Sequence, residues 1–176
     1  TSIVMNLLEY LGYFKKAITC ATRKIRPNEV DGVDYYFLTV EQFKEKIKAG
    51  DFIEYEEVYE NSFRGITKQE FHRLLNDGYD IIHVCEPNGA NTLYNLFKDR
   101  VTMVYVDAMP KECLPKPGIP WNSAECTDTS ILFDRLILRG ESEAKADERM
   151  ARVPLERKFL EEFMQNNPCH IINNVG

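Results

Sequence analysis

Between Thr39 and Cys85 the hydrophobic positions change period three times, and each change predicts an element. Thr39-Val-Glu-Gln has capping-box spacing, Phe43 and Ile47 form one stripe, and Gly50 follows, which predicts a helix. Phe52 to Tyr59 alternates, which predicts a strand with Phe52, Glu54, Glu56 and Val58 on one face. Thr67-Lys-Gln-Glu opens a second capped helix reaching Asp77, with Phe71, Leu74 and Leu75 inside and Gly78 at its end. Tyr79 to Cys85 is then a continuous apolar run holding one histidine, the pattern of a central parallel strand covered on both faces.

The flanks read in the same way. Thr1 to Leu11 is an amphipathic helix with Ile3, Leu7, Leu8 and Leu11 on one face and Gly12 after it. Ala17 to Ala21 is a short strand. Asn88-Gly89 leads into a helix reaching Lys98, and Val101 to Val106 is another buried strand. From Asp107 to Asp128, Pro110, Pro115, Pro117, Pro120 and Gly118 predict a long irregular loop, longer than connections usually run. A helix follows over Ile131 to Leu138, then a charged run from Glu141 to Arg149. Met150 to Gln165 is helical in composition, with a kink or break expected at Pro154. Cys169 to Asn173 is a last strand. Strands alternating with helices predict an α/β fold around a parallel sheet.

Charge and cysteine content narrow the function classes. The net charge of −6 makes the chain as a whole a poor nonspecific nucleic-acid binder, so an anionic ligand must be held by a local arginine cluster. At 176 residues one domain with a real core is expected. No apolar run is long enough to span a membrane and no signal peptide opens the chain. The five cysteines are odd in number and lack a CxxC pair, which fits reduced thiols in a cytoplasmic setting rather than a zinc or disulfide framework. His72, His83 and His170 are widely spaced and read as structural.

The chemistry concentrates in Thr22 to Phe37, Thr-Arg-Lys-Ile-Arg-Pro-Asn-Glu-Val-Asp-Gly-Val-Asp-Tyr-Tyr-Phe. Pro27 biases Arg26 toward extended backbone. Asp31-Gly32 between valines signals a two-residue hairpin turn that brings tyrosines back toward Arg23 and Arg26. Two guanidinium forks and a phenol make a clamp for a phosphomonoester; a surface hairpin with solvated arginines is the plainer reading. Further on, the Glu54 carboxylate suits two adjacent N–H donors, such as the N1–H and 2-amino edge of guanine. In Glu54-Tyr55-Glu56-Glu57 it also reads as part of a solvated acidic face. Arg135-x-x-x-Arg139 places both guanidiniums on one helix face, which an ordinary exposed helix also does.

The segment Thr-Arg-x-x-Arg-Pro-x-Glu-Val-Asp-Gly-x-Asp-Tyr-x-Phe resembles the GMP-binding segment of guanylate kinases. The resemblance extends over roughly residues 1–106 and 132–174 and is absent from 107–131. It implies a P-loop nucleoside monophosphate kinase fold: a parallel-sheet core (1–18, 80–138, 150–176), an inserted NMP-binding unit (19–79), a lid (139–149) and an atypical loop insertion (107–131). It implies that Thr19 lies near the base, that Arg23, Arg26 and Tyr35 hold phosphate, and that Glu54 reads guanine beside Glu86, where the family usually has Asp. The family pattern Asn-Tyr-Tyr-Gly-Thr/Ser is here Asn61-Ser-Phe-Arg-Gly-Ile-Thr67. Arg64 therefore stands where a second phosphate tyrosine belongs, and Ile66 replaces a hydroxyl. Arg135, Arg139 and Arg149 match catalytic lid arginines, and Asn173 matches a position near the ATP base.

Thr1 matches the last residue of G-x-x-x-x-G-K-S/T, where its hydroxyl would bind Mg2+ and the ATP phosphates if a P-loop precedes it; a helix cap is the plain alternative. The first strand, glycines and lysine of that motif do not occur in the sequence. Either the loop precedes Thr1 or the protein has none, and the first reading is preferred. The 176 residues are expected to bind GMP with negligible turnover until a loop stands before Thr1. The expected reaction moves the γ-phosphoryl of ATP, with Mg2+, to GMP or dGMP. The alternatives are a catalytically inactive guanylate-kinase-like module that binds a protein partner, and a kinase for another (deoxy)nucleoside monophosphate. Neither a nucleic acid nor a membrane is an expected partner.

Overall fold

The computed structural model describes residues 10–107, 130–138, 140–166 and 169–173. The chain forms two compact units, Thr1–Leu96 and Phe97–Gly176. Only the end of the predicted Thr1–Leu11 helix, Tyr10 and Leu11, falls among the described residues, and it is helical.

The first unit holds strands β1 (Phe14–Lys16), β2 (Thr19–Ala21) and β3 (Tyr35–Phe37), helix α1 (Val40–Ala49), strands β4 (Phe52–Tyr59) and β5 (Ser62–Thr67), helix α2 (Lys68–Asn76), strand β6 (Asp80–Ile82) and helix α3 (Pro87–Phe97). Four of the strands form one sheet in the order β3-β2-β5-β4, and β1 pairs in parallel with β6. Helix α1 starts as expected. The Thr39 hydroxyl accepts from the Gln42 N–H, the Gln42 side chain accepts from the Thr39 N–H, and Gly50 closes the helix at φ 70°. Phe43, fully buried, stacks on Phe52 and Phe63 at 4.4 and 5.3 Å and anchors one core cluster. Ala17, Ile66 and Leu74 form a second, with Ile53, Phe71 and Ile81 against it.

Three expectations are corrected in this unit. First, β2 and β3 run parallel, so Thr22–Asp34 is a crossover and not a hairpin. Asp31 and Asp34 are the reason. Their carboxylates accept from the backbone N–H groups of Phe37 and Val30, both at 2.8 Å, and close a compact loop with Gly32 at φ 76°. The two-residue hairpin turn is instead Glu60-Asn61, between β4 and β5, where Asn61 adopts φ 56°. Second, β4 does not alternate cleanly. Its register against β5 shifts between Phe52 and Glu54. Phe52 and Tyr55 therefore both approach Phe43, while Glu54 pairs across from Ile66 on the other face. Third, β6 ends at Ile82, and Val84 beyond it is 57% exposed, so the run to Cys85 is not a fully covered strand.

Helix α2 shows how a carboxylate ties elements together. The Thr67 hydroxyl caps it by accepting from the Glu70 N–H at 3.2 Å, but Glu70 does not complete the capping box. Its side chain, 3% exposed, turns inward, accepts from the Ile18 N–H at 3.1 Å and pairs with Arg73 at 3.0 Å. It thereby fixes the segment that joins β1 to β2.

The second unit holds a short 3-10 turn (Lys98–Arg100), β7 (Val104–Asp107), α4 (Ser130–Leu138), α5 (Glu143–Asn166) and β8 (His170–Asn173). Strands β7 and β8 pair in parallel from Val104↔His170 to Asp107↔Asn173. Val104 and Val106 are 49% and 46% exposed, so this strand is less covered than its sequence predicts. Of the kink or break expected at Pro154, the break does not occur: helix α5 continues through it. The proline forfeits one helical hydrogen bond, and the turns on either side are long enough to continue without it. The predicted loop over 108–128 lies outside the described residues.

Removing the Glu70 carboxylate takes away the partner of the half-buried Ile18 N–H. Glu70→Ala should lower unfolding free energy by about 2 kcal/mol, and Glu70→Gln, which keeps an acceptor, by less, as measured by denaturant titration.

Candidate functional site

The four-stranded sheet carries one predicted contact residue on each strand: Tyr35 on β3, Thr19 on β2, Arg64 on β5 and Glu54 on β4. Thr19 and Tyr35 are register partners, as are Arg64 and Glu56. The side chains collect into two neighbouring clusters of opposite character.

The first is cationic. The Arg23 guanidinium donates to both oxygens of Glu29, at 2.5 and 2.6 Å, and to the Lys24 carbonyl at 3.0 Å. It lies over the Tyr35 ring at 4.8 Å and near Phe37 at 5.4 Å. Glu29 also accepts from the Arg26 N–H at 2.9 Å, which draws the exposed Arg26 to the same place. Arg23, then the nearby Arg26 backbone, hold the Glu29 carboxyl down at about 2, and the Arg23 guanidinium is in turn raised by Glu29. The Nε–H of Arg23 is buried with no partner among the described residues. Lys16 Nζ also lies over the Tyr35 ring, at 5.3 Å.

The second is rich in acceptors. Thr19, Glu54, Glu56, Arg64, Gly65, His83, Cys85 and Glu86 line a cleft whose interior is about 10 Å³, room for one water molecule. Glu54, 5% exposed, accepts from His83 Nε2 at 2.7 Å. Its other oxygen, Oε2, lies against Gly89 in the first turn of α3, where a Cβ would collide with it. Arg64 faces Glu86 at 3.7 Å. Asn88 donates to Glu56 Oε1 at 2.7 Å, while Glu56 Oε2 and His83 Nδ1 are buried without partners among the described residues. Burial, and then Glu54 and Glu86, raise the Cys85 thiol strongly, which favours its protonated form.

Thus Thr19, Glu54, Arg64 and Glu86 come together, and Arg23, Arg26 and Tyr35 form the adjoining cluster. Ile66 does not enter the cleft; it is fully buried in the core. In the second unit Arg135 is half-buried on α4, Arg149 pairs with Glu141 at 3.5 Å, and Asn173 ends β8. Thr1 and Arg139 lie outside the described residues. Sequence reasoning missed Glu29, Glu56, Gly89 and, above all, His83, to which it assigns a structural role. No local signal singles out His83, because its partner Glu54 lies 29 positions away.

The Arg23–Glu29 pair yields a pH prediction. Because the folded state lowers the Glu29 carboxyl from 4.5 to about 2, the stability it contributes is complete above about pH 5 and disappears as pH falls through about 2. Glu29→Gln should melt below wild type at pH 7, and the two melting curves should converge as pH approaches 2.

Comparison with known proteins fits this geometry. The guanylate kinase family profile matches residues 2–120. A guanylate kinase of Salinibacter ruber is 36% identical over 106 residues, which is 60% of this chain and 56% of the relative. One from Syntrophus aciditrophicus is 35% identical over 153 residues, 87% of this chain and 64% of the relative. One from Clostridioides difficile is 28% identical over 163 residues, 92% and 70% of the two chains. The chain thus spans between about half and two thirds of the length of most of the curated relatives it matches. The crystal structure of guanylate kinase from Anaplasma phagocytophilum matches with a TM-score of 0.64 at 20% identity, over 99% of this chain and 73% of that one, which establishes the fold. With its profile matched over residues 2–120 of 176, the chain belongs to the guanylate kinase family.

Proposed function

We propose that the chain is a nucleoside monophosphate kinase that binds GMP or dGMP at this pair of clusters and accepts a phosphoryl group from ATP. The observation that carries the reading is the adjacency on one sheet of an acceptor-rich cleft and a cationic cluster, bridged by the Thr19–Tyr35 pair. Guanine offers two adjacent donors, which suit Glu54 with Glu86 beside it. Its monophosphate suits Arg23, Arg26 and the Tyr35 hydroxyl. Adenine lacks that donor pair. In the reaction a phosphate oxygen of GMP attacks the γ-phosphorus of ATP and ADP leaves.

The ATP half of the proposal rests on family membership. Arg135, Arg139 and Arg149 would neutralise charge on the moving phosphoryl, Asn173 would lie near the ATP base, and Thr1 would ligate Mg2+ behind a P-loop. Mg2+ would arrive with the ATP phosphates; among the described residues no group of three His, Cys, Asp or Glu side chains is arranged to hold a metal ion. The division into core, NMP-binding unit and lid belongs to the same proposal.

Two measurements test it. Binding and phosphorylation of GMP, AMP, CMP and dTMP should favour GMP, and Glu54→Gln should erase roughly ten- to a hundredfold of that preference. Equal affinity for all four bases in the wild type refutes guanine selection. For the phosphate, Arg26→Ala is the cleaner probe, because Arg23 also holds Glu29. It should weaken GMP roughly tenfold and leave guanosine unchanged. Loss of both ligands in parallel refutes the clamp. Selective GMP binding without ADP formation would favour a binding module instead.

A further inference from the structure

The cleft as it stands cannot admit a base. Its interior has room for no more than one water molecule, and the oxygen of Glu54 that faces His83 is already used. Glu54 accepts only, so the His83 nitrogen facing it, Nε2, carries the proton. The two side chains are 4% and 7% exposed, so neither is satisfied by bulk water. His83 thus offers Glu54 what a guanine N–H would offer: a single, short, buried N–H bond. Among the described residues the ring is hydrogen-bonded on that side alone. Nδ1 is buried and has no partner among the described residues. Moving out would cost the ring one hydrogen bond and give Nδ1 access to water. Residues 83–86 lie between β6 and α3 and belong to no strand, so no ladder hydrogen bond has to break for the ring to turn away.

We propose that His83 is an affinity-setting residue of the base pocket: it stands in for the base on Glu54 and must be displaced when a mononucleotide enters. This inference rests on the reading of Glu54 as the residue that contacts the base. Because displacement precedes recognition, its cost falls on every base alike. His83 therefore sets absolute affinity, whereas Glu54 sets the ranking of bases. A histidine that instead belonged to the reading surface would show the opposite sign on removal.

The test is calorimetric titration of GMP and AMP into the wild type, His83→Leu and His83→Gln. His83→Leu fills much of the ring's volume without a donor and should bind GMP roughly tenfold more tightly, with the GMP-to-AMP ratio unchanged. His83→Gln keeps an N–H donor for Glu54 and should return affinity towards the wild-type value. Weaker or equal GMP binding by His83→Leu, with the wild type still preferring GMP, overturns the stand-in role and leaves the proposed function intact. If neither the wild type nor His83→Leu binds GMP, the proposed function fails and this inference with it. Should His83→Leu not fold, the ring resonances of the three histidines in the wild type decide the matter. Those of His83 should shift on saturation with GMP as Nε2 leaves the carboxylate, and an unchanged His83 signal overturns the proposal.

Discussion

A carboxylate that is 5% exposed must find its partners inside the protein, and Glu54 imposes that requirement on everything around it. His83 supplies the hydrogen bond. Gly89 supplies the space: it sits inside a helix, where glycine costs roughly 1 kcal/mol against alanine, because any side chain there would strike Oε2. Gly65, on the neighbouring strand β5, meets a separate constraint at the backbone, since a Cβ would crowd the Glu54 carbonyl and Tyr55. A helix start and an irregular segment are thus both shaped by one anionic group.

The second ion pair divides the surface electrically. Glu29 pairs with Arg23 and so neutralises the cluster only in part, because Arg26 and Lys16 also belong to it. A few ångströms of sheet away, Glu54, Glu56 and Glu86 outnumber Arg64. A chain with net charge −6 therefore keeps a cationic spot adjoining a cleft of acceptors. A mononucleotide has the complementary layout, with a neutral edge of donors at one end and a dianion at the other. Short separation matters here, because at physiological salt the field of exposed arginines fades within about 8 Å.

Much of this was legible in the sequence, and the remainder was hidden for identifiable reasons. Helix α1 followed from Thr39, Gln42, Phe43 and Gly50, all local signals that act within a few residues. The residues gathered at the cleft followed from the wording of the segment at 22–37 and its spacing to Glu54 and Glu86. The direction of β3 did not, because Asp31-Gly32 reads as a hairpin turn until one knows that Asp31 accepts from the Phe37 N–H and Asp34 from the Val30 N–H. Glu70 carried the spacing of a capping box but pairs with Ile18, a residue 52 positions away that no local pattern can name. His83 was invisible as a site residue because its partner is 29 positions distant. A lone histidine in an apolar run looks the same whether it packs or pairs.

The bulge in β4 shows how narrow the margin is. With strict alternation Glu54 would share a face with Phe52, which stacks on Phe43 in an aromatic core. There a carboxylate would meet ring faces and find no donor, at a cost of several kcal/mol or by giving up its charge. One extra residue between Phe52 and Glu54 shifts the register, so that Ile53 goes to the Ile66 cluster and Glu54 to the cleft. Tyr55 then returns to the side of Phe52, at 5.8 Å, and the aromatic core closes behind the strand. The same backbone irregularity that breaks the sequence pattern is what lets one strand serve a hydrophobic core and an ionised site at once.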